Sequence, residues 1–341
     1  MRKLGVGVLG VGEMGKRHAE NLRRLVPEAH LVAVADVAAP RARQVALELD
    51  IAHSYASLEE MVGRKDIDAV LIATPDKFHA QGIRVAAAAG KHVLCEKPLA
   101  TTLEEAHAAL REVARAKVHL QIGFMRRYDP AYAAAKKRIA NGEIGTPVIF
   151  KSVGRDKDEP PLAAYAAKLN GMLFYNNTIH DFDLARWLMQ DEVTEVHAYT
   201  TTAIRPEVAK YGDVVASVVN LRYARGAIGN VESYVQAVYA YDVRTEIVGC
   251  KGSLFVGSLQ KTPATFLTAH GSNEILVDHF LGRFAVAYLA EVQDFVRTIL
   301  ADRDPRVTGE DGLRALEIAV AAESSHLQAR PCKISQEKAA H

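Results

Sequence analysis

The sequence predicts an α/β chain in two parts: a doubly wound parallel sheet at the amino end, then an α+β domain on an open, mostly antiparallel sheet. Three observations lead there. Buried strand-like runs alternate with helical runs through roughly the first third of the chain. A glycine-rich turn joins the first strand to the first helix. After "HLQIGF" the alternation stops, and strand-like runs joined by Gly-containing turns take over, with partial period-two patterning.

The elements follow in order. "LGVGVLG" carries no polar residue, so it reads as a strand buried on both faces. Gly10-Val11-Gly12-Glu13-Met14-Gly15 comes next, and a helical run continues to about Val26. "HLVAVAD" is a second buried strand ending in Asp36, and "DAVLIATP" and "KHVLCEKP" are two more. "DPAYAAAKKRIANGEIG" is a helix with a glycine stop. From about 147 the strand-like runs are "PVIFKSVGR", "VTEVHAYTTT", "DVVASVVNLRY", "GAIGNVESYV", "VRTEIVGCKGSLFVG" and "ATFLTAHG". Two late helices, near 283–301 and 311–328, flank a breaker segment with Asp304-Pro305 and Gly309. The expected division is a nucleotide-binding domain over 1–122 and a domain for substrate binding and oligomerisation over 123–341. An open sheet face left bare by helices is a common subunit interface, so a homo-oligomer, most simply a tetramer, is expected.

Composition narrows the classes. With 49% hydrophobic and 24% charged residues the chain reads as globular. Lys plus Arg (42) nearly cancels Asp plus Glu (41), whereas nucleic-acid binding needs clustered positive charge, so no nucleic-acid partner is expected. Cys95, Cys250 and Cys332 lie far apart without CxxC spacing, which fits a reducing, cytoplasmic location and no zinc site. The start "MRKLGVGVLG" imitates a signal peptide, but Gly10, Gly12, Glu13 and Gly15 break its apolar run. No stretch approaches the length of a membrane span, and none is expected.

A GxGxxG string alone is a weak signal. Here it follows a strand, opens a helix, and has an acid, Asp36, roughly 20 residues on, the full context of the Rossmann dinucleotide fingerprint. Gly10 allows the tight turn, Gly12 lets the pyrophosphate approach the backbone, and Gly15 lets helix and strand pack closely. The phosphates meet the free N–H groups of the helix. Asp36 accepts from the adenosine ribose hydroxyls and repels a 2′-phosphate, so NAD is favoured over NADP. Arg41 and Arg43 lie close in sequence and soften that exclusion.

Ligands of doubly wound sheets bind at the carboxyl ends of the strands. "CEKPL" is such an end, and it places Lys97 by the expected nicotinamide, with Pro98 biasing Lys97 towards an extended backbone. In "NNTIHDFDLARWL", His180 shares a helical stripe with Leu184, Trp187 and Leu188, so it sits on the buried face while Asp181 and Asp183 lie elsewhere. Asn176 stands one turn earlier, within reach of the ring.

Together these pieces resemble the Gfo/Idh/MocA oxidoreductase family along essentially the whole chain. The resemblance is carried by "GVLGVGEMGKRHAENL", "AVLIATPDKFHA", "AAAAGKHVLCEKPLATT", "IGFMRRYDPAY", "NTIHDFDLARWL" and "EDGLRALEIAVAAESS". Within the family, "GFMRRYDPAY" and "YAYDVRTEIVGCKG" are most similar to the inositol dehydrogenase branch. The resemblance implies that Lys97 and His180 serve the reacting hydroxyl. It also places Glu13, Met14, Thr74, Pro75, His79 and Glu96 with the cofactor, and Arg127, Tyr128, Arg155, Asp156 and Tyr241, with His279, around a polyol. An aspartate usually stands four residues before the histidine; Asn176 replaces it, able to accept the ring N–H but not to balance an imidazolium.

The expected activity is therefore NAD-dependent oxidation of a ring hydroxyl of myo- or scyllo-inositol, or a related pyranose, to the ketone. His180 takes the proton and Lys97 stabilises the alkoxide, and no metal is required. The alternatives are a keto-sugar reductase and a catalytically silent NAD- and sugar-binding regulator.

Overall fold

The computed structural model describes residues 2–157, 159–167, 172–257, 260–269 and 271–334. It divides into two compact units, Met1–Tyr128 with Val286–Leu316, and Asp129–Ala285 with Glu317–His341.

In the first unit, β1 (Leu4–Leu9), β2 (Ala29–Ala35), β3 (His53–Tyr55), β4 (Ala69–Ile72), β5 (His92–Glu96) and β6 (Leu120–Gly123) form one sheet in the order β3-β2-β1-β4-β5-β6. Every pairing is parallel. This is the doubly wound order expected of a dinucleotide-binding sheet. Helices α1 (Glu13–Leu25), α2 (Ala39–Glu48), α3 (Leu58–Val62), α4 (His79–Ala88) and α5 (Leu103–Ala116) connect the strands. β1 and β4 are buried nearly throughout because helices cover both faces, which is why they read as continuous apolar runs.

Two features of this unit depart from the expected 1–122 boundary. The segment through Phe124 and Met125 is buried and stays with it. A late stretch also returns: Val292, Phe295 and Val296 share a core cluster with Leu4, Val6, Leu31 and Leu94. Each such buried side chain contributes about 1.5–3 kcal/mol, enough to commit a helix far away in sequence to this core.

The second unit holds α6 (Pro130–Ala140), β7 (Pro147–Arg155), α7 (Leu162–Ala167), a π-helical turn (Phe174–Thr178) and α8 (Ile179–Met189). Then follow β8 (Val193–Thr201), β9 (Ala216–Tyr223), β10 (Ile228–Tyr234), β11 (Asp242–Gly249), β12 (Gly252–Val256), β13 (Gln260–Thr268), β14 (Gly271–Leu276) and α9 (Phe280–Arg283). After α10 (Ala285–Leu300) and α11 (Gly309–Gln328), the short β15 (Cys332–Lys333) joins the edge. The seven-stranded sheet runs β12-β11-β7-β10-β9-β8-β15, with only the β7–β10 pair parallel. The run 243–257 is thus a hairpin, turning at Cys250 and Lys251, and β13–β14 form a separate two-stranded ribbon.

Strand alternation divides the seven-stranded sheet. On β7, Phe150, Ser152 and Gly154 are buried, and Ser152 and Gly154 meet α8. On β9, Ser217, Val219, Leu221 and Tyr223 are buried while Val218, Asn220 and Arg222 are exposed. Gly309, expected as a breaker, opens α11, where a Cβ would meet Leu110 and Leu120 side chains at 2.5 and 3.0 Å.

Candidate active site

The cofactor half belongs to the first unit. Gly10 has φ +80°, and an added Cβ would lie 2.6 Å from the Ala73 carbonyl oxygen. At Gly15 a Cβ would lie 1.7 Å from the Gly10 carbonyl oxygen, so only glycine lets helix and turn close. A Cβ on Gly12, by contrast, would meet nothing within 4 Å. Gly12 is the N-cap of α1 and offers no side-chain cap, which leaves the first-turn N–H groups facing that open space. Glu13 is exposed and Met14 half-buried beside it. Asp36, buried at the end of β2, accepts from Val11 N (3.0 Å) and Ala38 N (2.8 Å), and Arg41 reaches its Oδ2 at 3.4 Å. An open glycine turn, an uncapped helix start and a fixed carboxylate form a set that fits NAD.

Around the strand ends, His79 is buried between two carbonyl oxygens, Thr74 O at 2.8 Å and Pro98 O at 2.7 Å. The Thr74 hydroxyl is buried with no hydrogen-bond partner among the described residues, and Pro75 is exposed next to it. Lys97, half-buried, follows the last residue of β5, and the Lys97–Pro98 peptide is cis. His18 donates from Nε2 to Glu96 Oε1 at 2.7 Å. Burial pushes the Glu96 carboxyl up, but the His18 hydrogen bond and the charges of His18 and Lys97 outweigh it and hold the group below its ordinary range. Arg127 pairs with Asp311 at 2.9 Å, and Tyr128 donates to Asp294 at 3.1 Å. Burial and the nearby Glu291 and Asp294 raise the Tyr128 phenol. Both proposed polyol contacts therefore carry structural partners of their own in this unit.

In the second unit His180 is buried in the first turn of α8. The expectation that Asp181 and Asp183 lie off the buried face is corrected: they are 0% and 1% exposed. For Asp181 the reason is a polar partner on a distant strand, Ser152, whose hydroxyl donates to it at 2.6 Å. Gly154 leaves room for the same contact, since a Cβ there would lie 2.8 Å from Asp181 Oδ2. The helix is thus buried around its first turns, while Trp187 is only half-buried.

The π-helical turn separates the two asparagines. Asn177 is buried and donates to Asp156 at 2.7 Å. Asn176 is exposed and lines a cavity of ≈ 420 Å³ with Tyr165, Tyr211, Asp213 and Glu323. Burial pushes the Asp213 carboxyl up and, with Asp213 beside it, the Tyr165 phenol up to about 12. Tyr175 donates to Glu323 in the same region. Asp156, Asn176 and Asn177 also line a smaller adjoining cavity of ≈ 60 Å³.

Arg155 is placed differently from expectation. By strand alternation it faces away from Ser152 and Gly154, and so away from α8. It donates to Glu232 (2.6 Å) and Tyr239 (2.8 Å), partners that keep its guanidinium protonated despite partial burial. Tyr241 is buried edge-on to Phe284, and His279 caps α9 through Nδ1, accepting from Leu281 N at 3.4 Å. Asp156 and Asn176 come together; Arg155 does not join them. Asn177 was not singled out in the sequence, although the doubled asparagine ahead of the histidine was the available signal.

Residues 4–124 match the model of the oxidoreductase family with an NAD-binding Rossmann fold, and residues 132–255 match the GFO/IDH/MocA C-terminal domain. The chain is 40% identical to a scyllo-inositol 2-dehydrogenase (NAD(+)) of Bacillus subtilis, over 97% of this chain and 96% of that protein. It is 35% identical to a myo-inositol 2-dehydrogenase of Thermotoga maritima, over 97% and 98%. The structure of a scyllo-inositol dehydrogenase from Lactobacillus casei with bound NAD(H) and scyllo-inositol is similar at a TM-score of 0.92 and 30% identity, covering 98% of this chain and 99% of that one.

Proposed function

The chain belongs to the GFO/IDH/MocA oxidoreductase family, and on that premise we propose that it is an NAD-dependent dehydrogenase oxidising a ring hydroxyl of scyllo- or myo-inositol to the ketone. The observation that carries this reading is near-full-length similarity to inositol dehydrogenases in a chain that keeps Lys97, His180 and the open glycine turn with Asp36.

The residues that would hold NAD are Gly10, Gly12 and Gly15 with the uncapped start of α1 for the pyrophosphate, and Asp36 for the adenosine ribose. When bound, NAD supplies the hydride acceptor. His180 removes the proton of the reacting hydroxyl as the general base. Lys97, as ammonium, stabilises the alkoxide as it forms. Asn176 is the candidate partner that would orient His180, and Asp156, held by Asn177, is a candidate acceptor for a ring hydroxyl. One feature, Asn176 where the family usually carries aspartate, favours the reading as a silent NAD- and sugar-binding regulator.

The reading includes a homotetramer, supported by exposed Tyr199, Val218, Ile228 and Phe255 on strands of the open sheet. It also includes a cytoplasmic location, supported by three cysteines that are not joined to one another. A panel of inositol isomers and pyranoses with NAD, followed by absorbance of the reduced cofactor, tests the proposal. Turnover with an inositol supports it. Tight NAD and inositol binding with no reduction favours the regulator instead.

A further inference from the structure

We propose that Glu291 keeps its proton at neutral pH and donates it as a hydrogen bond to the Glu96 carboxylate, making Glu291 a positioning residue for the Glu96-Lys97 pair.

Glu291 lies on α10 and is 0% exposed. Neither of its carboxylate oxygens has a hydrogen-bond partner among the described residues. Its neighbourhood is rich in acceptors and poor in donors. The Gln121 side chain donates its amide N–H to the Glu291 backbone carbonyl at 3.3 Å, and its own oxygen, also buried, has no donor among the described residues. The nearest oxygen or nitrogen atoms of His18, Glu96 and Glu291 lie within 4.8 Å of one another. His18 spends its Nε2–H on Glu96, and its Nδ1 has no partner among the described residues. An ionised Glu291 would add a second buried carboxylate to this group, which costs several kcal/mol. One proton on Glu291 removes that charge and supplies the missing donor. Glu96 is the charged acceptor of this three-residue group, and hydrogen bonds to charged acceptors are the stronger ones.

The charged and titratable groups around Glu291 agree. His18 faces the group from α1, Glu96 and Lys97 from the end of β5, Tyr128 from the turn after β6, and Asp294 from α10 itself. Burial pushes the Glu291 carboxyl well up, and the charges of Glu96 and Asp294 push it further. Glu96 is fenced on its remaining side by Gly123, where a Cβ would lie 2.8 Å from Glu96 Oε2. His18, Gly123 and protonated Glu291 thus fix the carboxylate whose charge acts on Lys97. The consequence for Lys97 rests on the proposed dehydrogenase reading; the protonation of Glu291 does not.

The direct test is infrared spectroscopy of the whole protein between neutral and mildly alkaline pH. A protonated-carboxyl C=O band that persists at pH 8 and disappears in Glu291→Gln is expected. Absence of that band, or a stoichiometric divalent metal found by elemental analysis of the dialysed protein, overturns the proposal, the second in favour of a cation shared by the same three side chains. Should Glu291→Gln fail to fold, Glu291→Leu, close in volume and without polar atoms, replaces it in the same comparison. Kinetics then read the link to Lys97. Glu291→Leu should lower kcat about tenfold, the loss of one hydrogen bond to a charged group, with KM for NAD little changed. Glu291→Gln, whose amide N–H still donates to Glu96, should recover kcat to within about twofold. Equal kcat in wild type and Glu291→Leu overturns the positioning role even where the infrared band is present.

Discussion

Asp36 offers the sharpest test of cofactor choice, and the structure changes how it should be perturbed. Its carboxylate accepts from the N–H groups of Val11 and Ala38, so truncation to alanine would strip one acceptor from the glycine turn and one from the start of α2 as well as the ribose partner. Asp36→Asn is the cleaner change, because it keeps one acceptor oxygen and removes the charge. One backbone N–H then faces an amide NH2, which costs about 1–3 kcal/mol of stability and should lower Tm by a few degrees. For NAD, a charged hydrogen bond to the ribose becomes a neutral one, a loss of about 1–2 kcal/mol, or roughly 5–30-fold in affinity. For NADP the change runs the other way. Two unit charges 4 Å apart at a partly wetted site repel by up to about 4 kcal/mol, less with salt. Removing that repulsion also releases Arg41, half-exposed and 3.4 Å from Asp36 Oδ2, to meet a phosphate. The ratio of kcat/KM for NAD over NADP should therefore fall at least tenfold. Initial rates with both cofactors measure it, with circular dichroism to show that the fold is kept. A ratio unchanged in a folded variant would refute Asp36 as the discriminating group.

Asn176→Asp should raise turnover and leave NAD affinity nearly unchanged, and it should move the acidic limb of the pH–rate profile upward, because a nearby negative charge raises a histidine pKa. A flat or lower turnover in a folded variant would make Asn176 a substrate contact rather than the orienting partner of His180. His180→Ala should remove most activity in either background. Light scattering at micromolar concentration should give about four times the 37.2 kDa chain mass; a monomer would contradict the interface assigned to the open sheet. Glu291 also predicts a stability slope. Its folded pKa is raised, so its contribution is full below the ordinary glutamate value and declines as pH climbs towards the folded value, by about 1.4 kcal/mol per pH unit. Chemical denaturation between pH 5 and 8 should show Glu291→Gln gaining on wild type as pH rises, and parallel curves would contradict the raised value.

Much of the first unit was legible because its signals are local. A strand, three glycines and an acid at set spacing define the turn: Gly10 and Gly15 sit where a Cβ would clash, and Gly12 borders open space. The three-residue β3, half-buried throughout, left no periodic trace and was missed. The membership of α10 in the first unit was not legible either. Val292, Phe295 and Val296 form an ordinary apolar stripe, and nothing local says which core receives it. Asp181 and Asp183 were misplaced for a related reason: an acid on a helix reads as solvated unless its partner is known, and the partner of Asp181, Ser152, sits on another strand. Arg155 is the contrary case. Phe150, Ser152 and Gly154 against Lys151 and Val153 already set the alternation of β7, and extending it one residue turns Arg155 to the open face. The π-helical turn at 174–178 defeated the helical wheel, since its wider register separates Asn176 from Asn177 in a way that a 3.6-residue period does not foresee.

The central claim is that a hydride leaves a ring carbon of an inositol for NAD on this protein. The most direct measurement incubates the enzyme with NAD and scyllo- or myo-inositol deuterated at its ring carbons, and weighs the reduced cofactor by mass spectrometry. Reduced NAD carrying one deuterium, formed by the wild type and lost in Lys97→Ala and His180→Ala, is the expected result. Reduced NAD without deuterium, or no reduction with either inositol while NAD still binds, would contradict it.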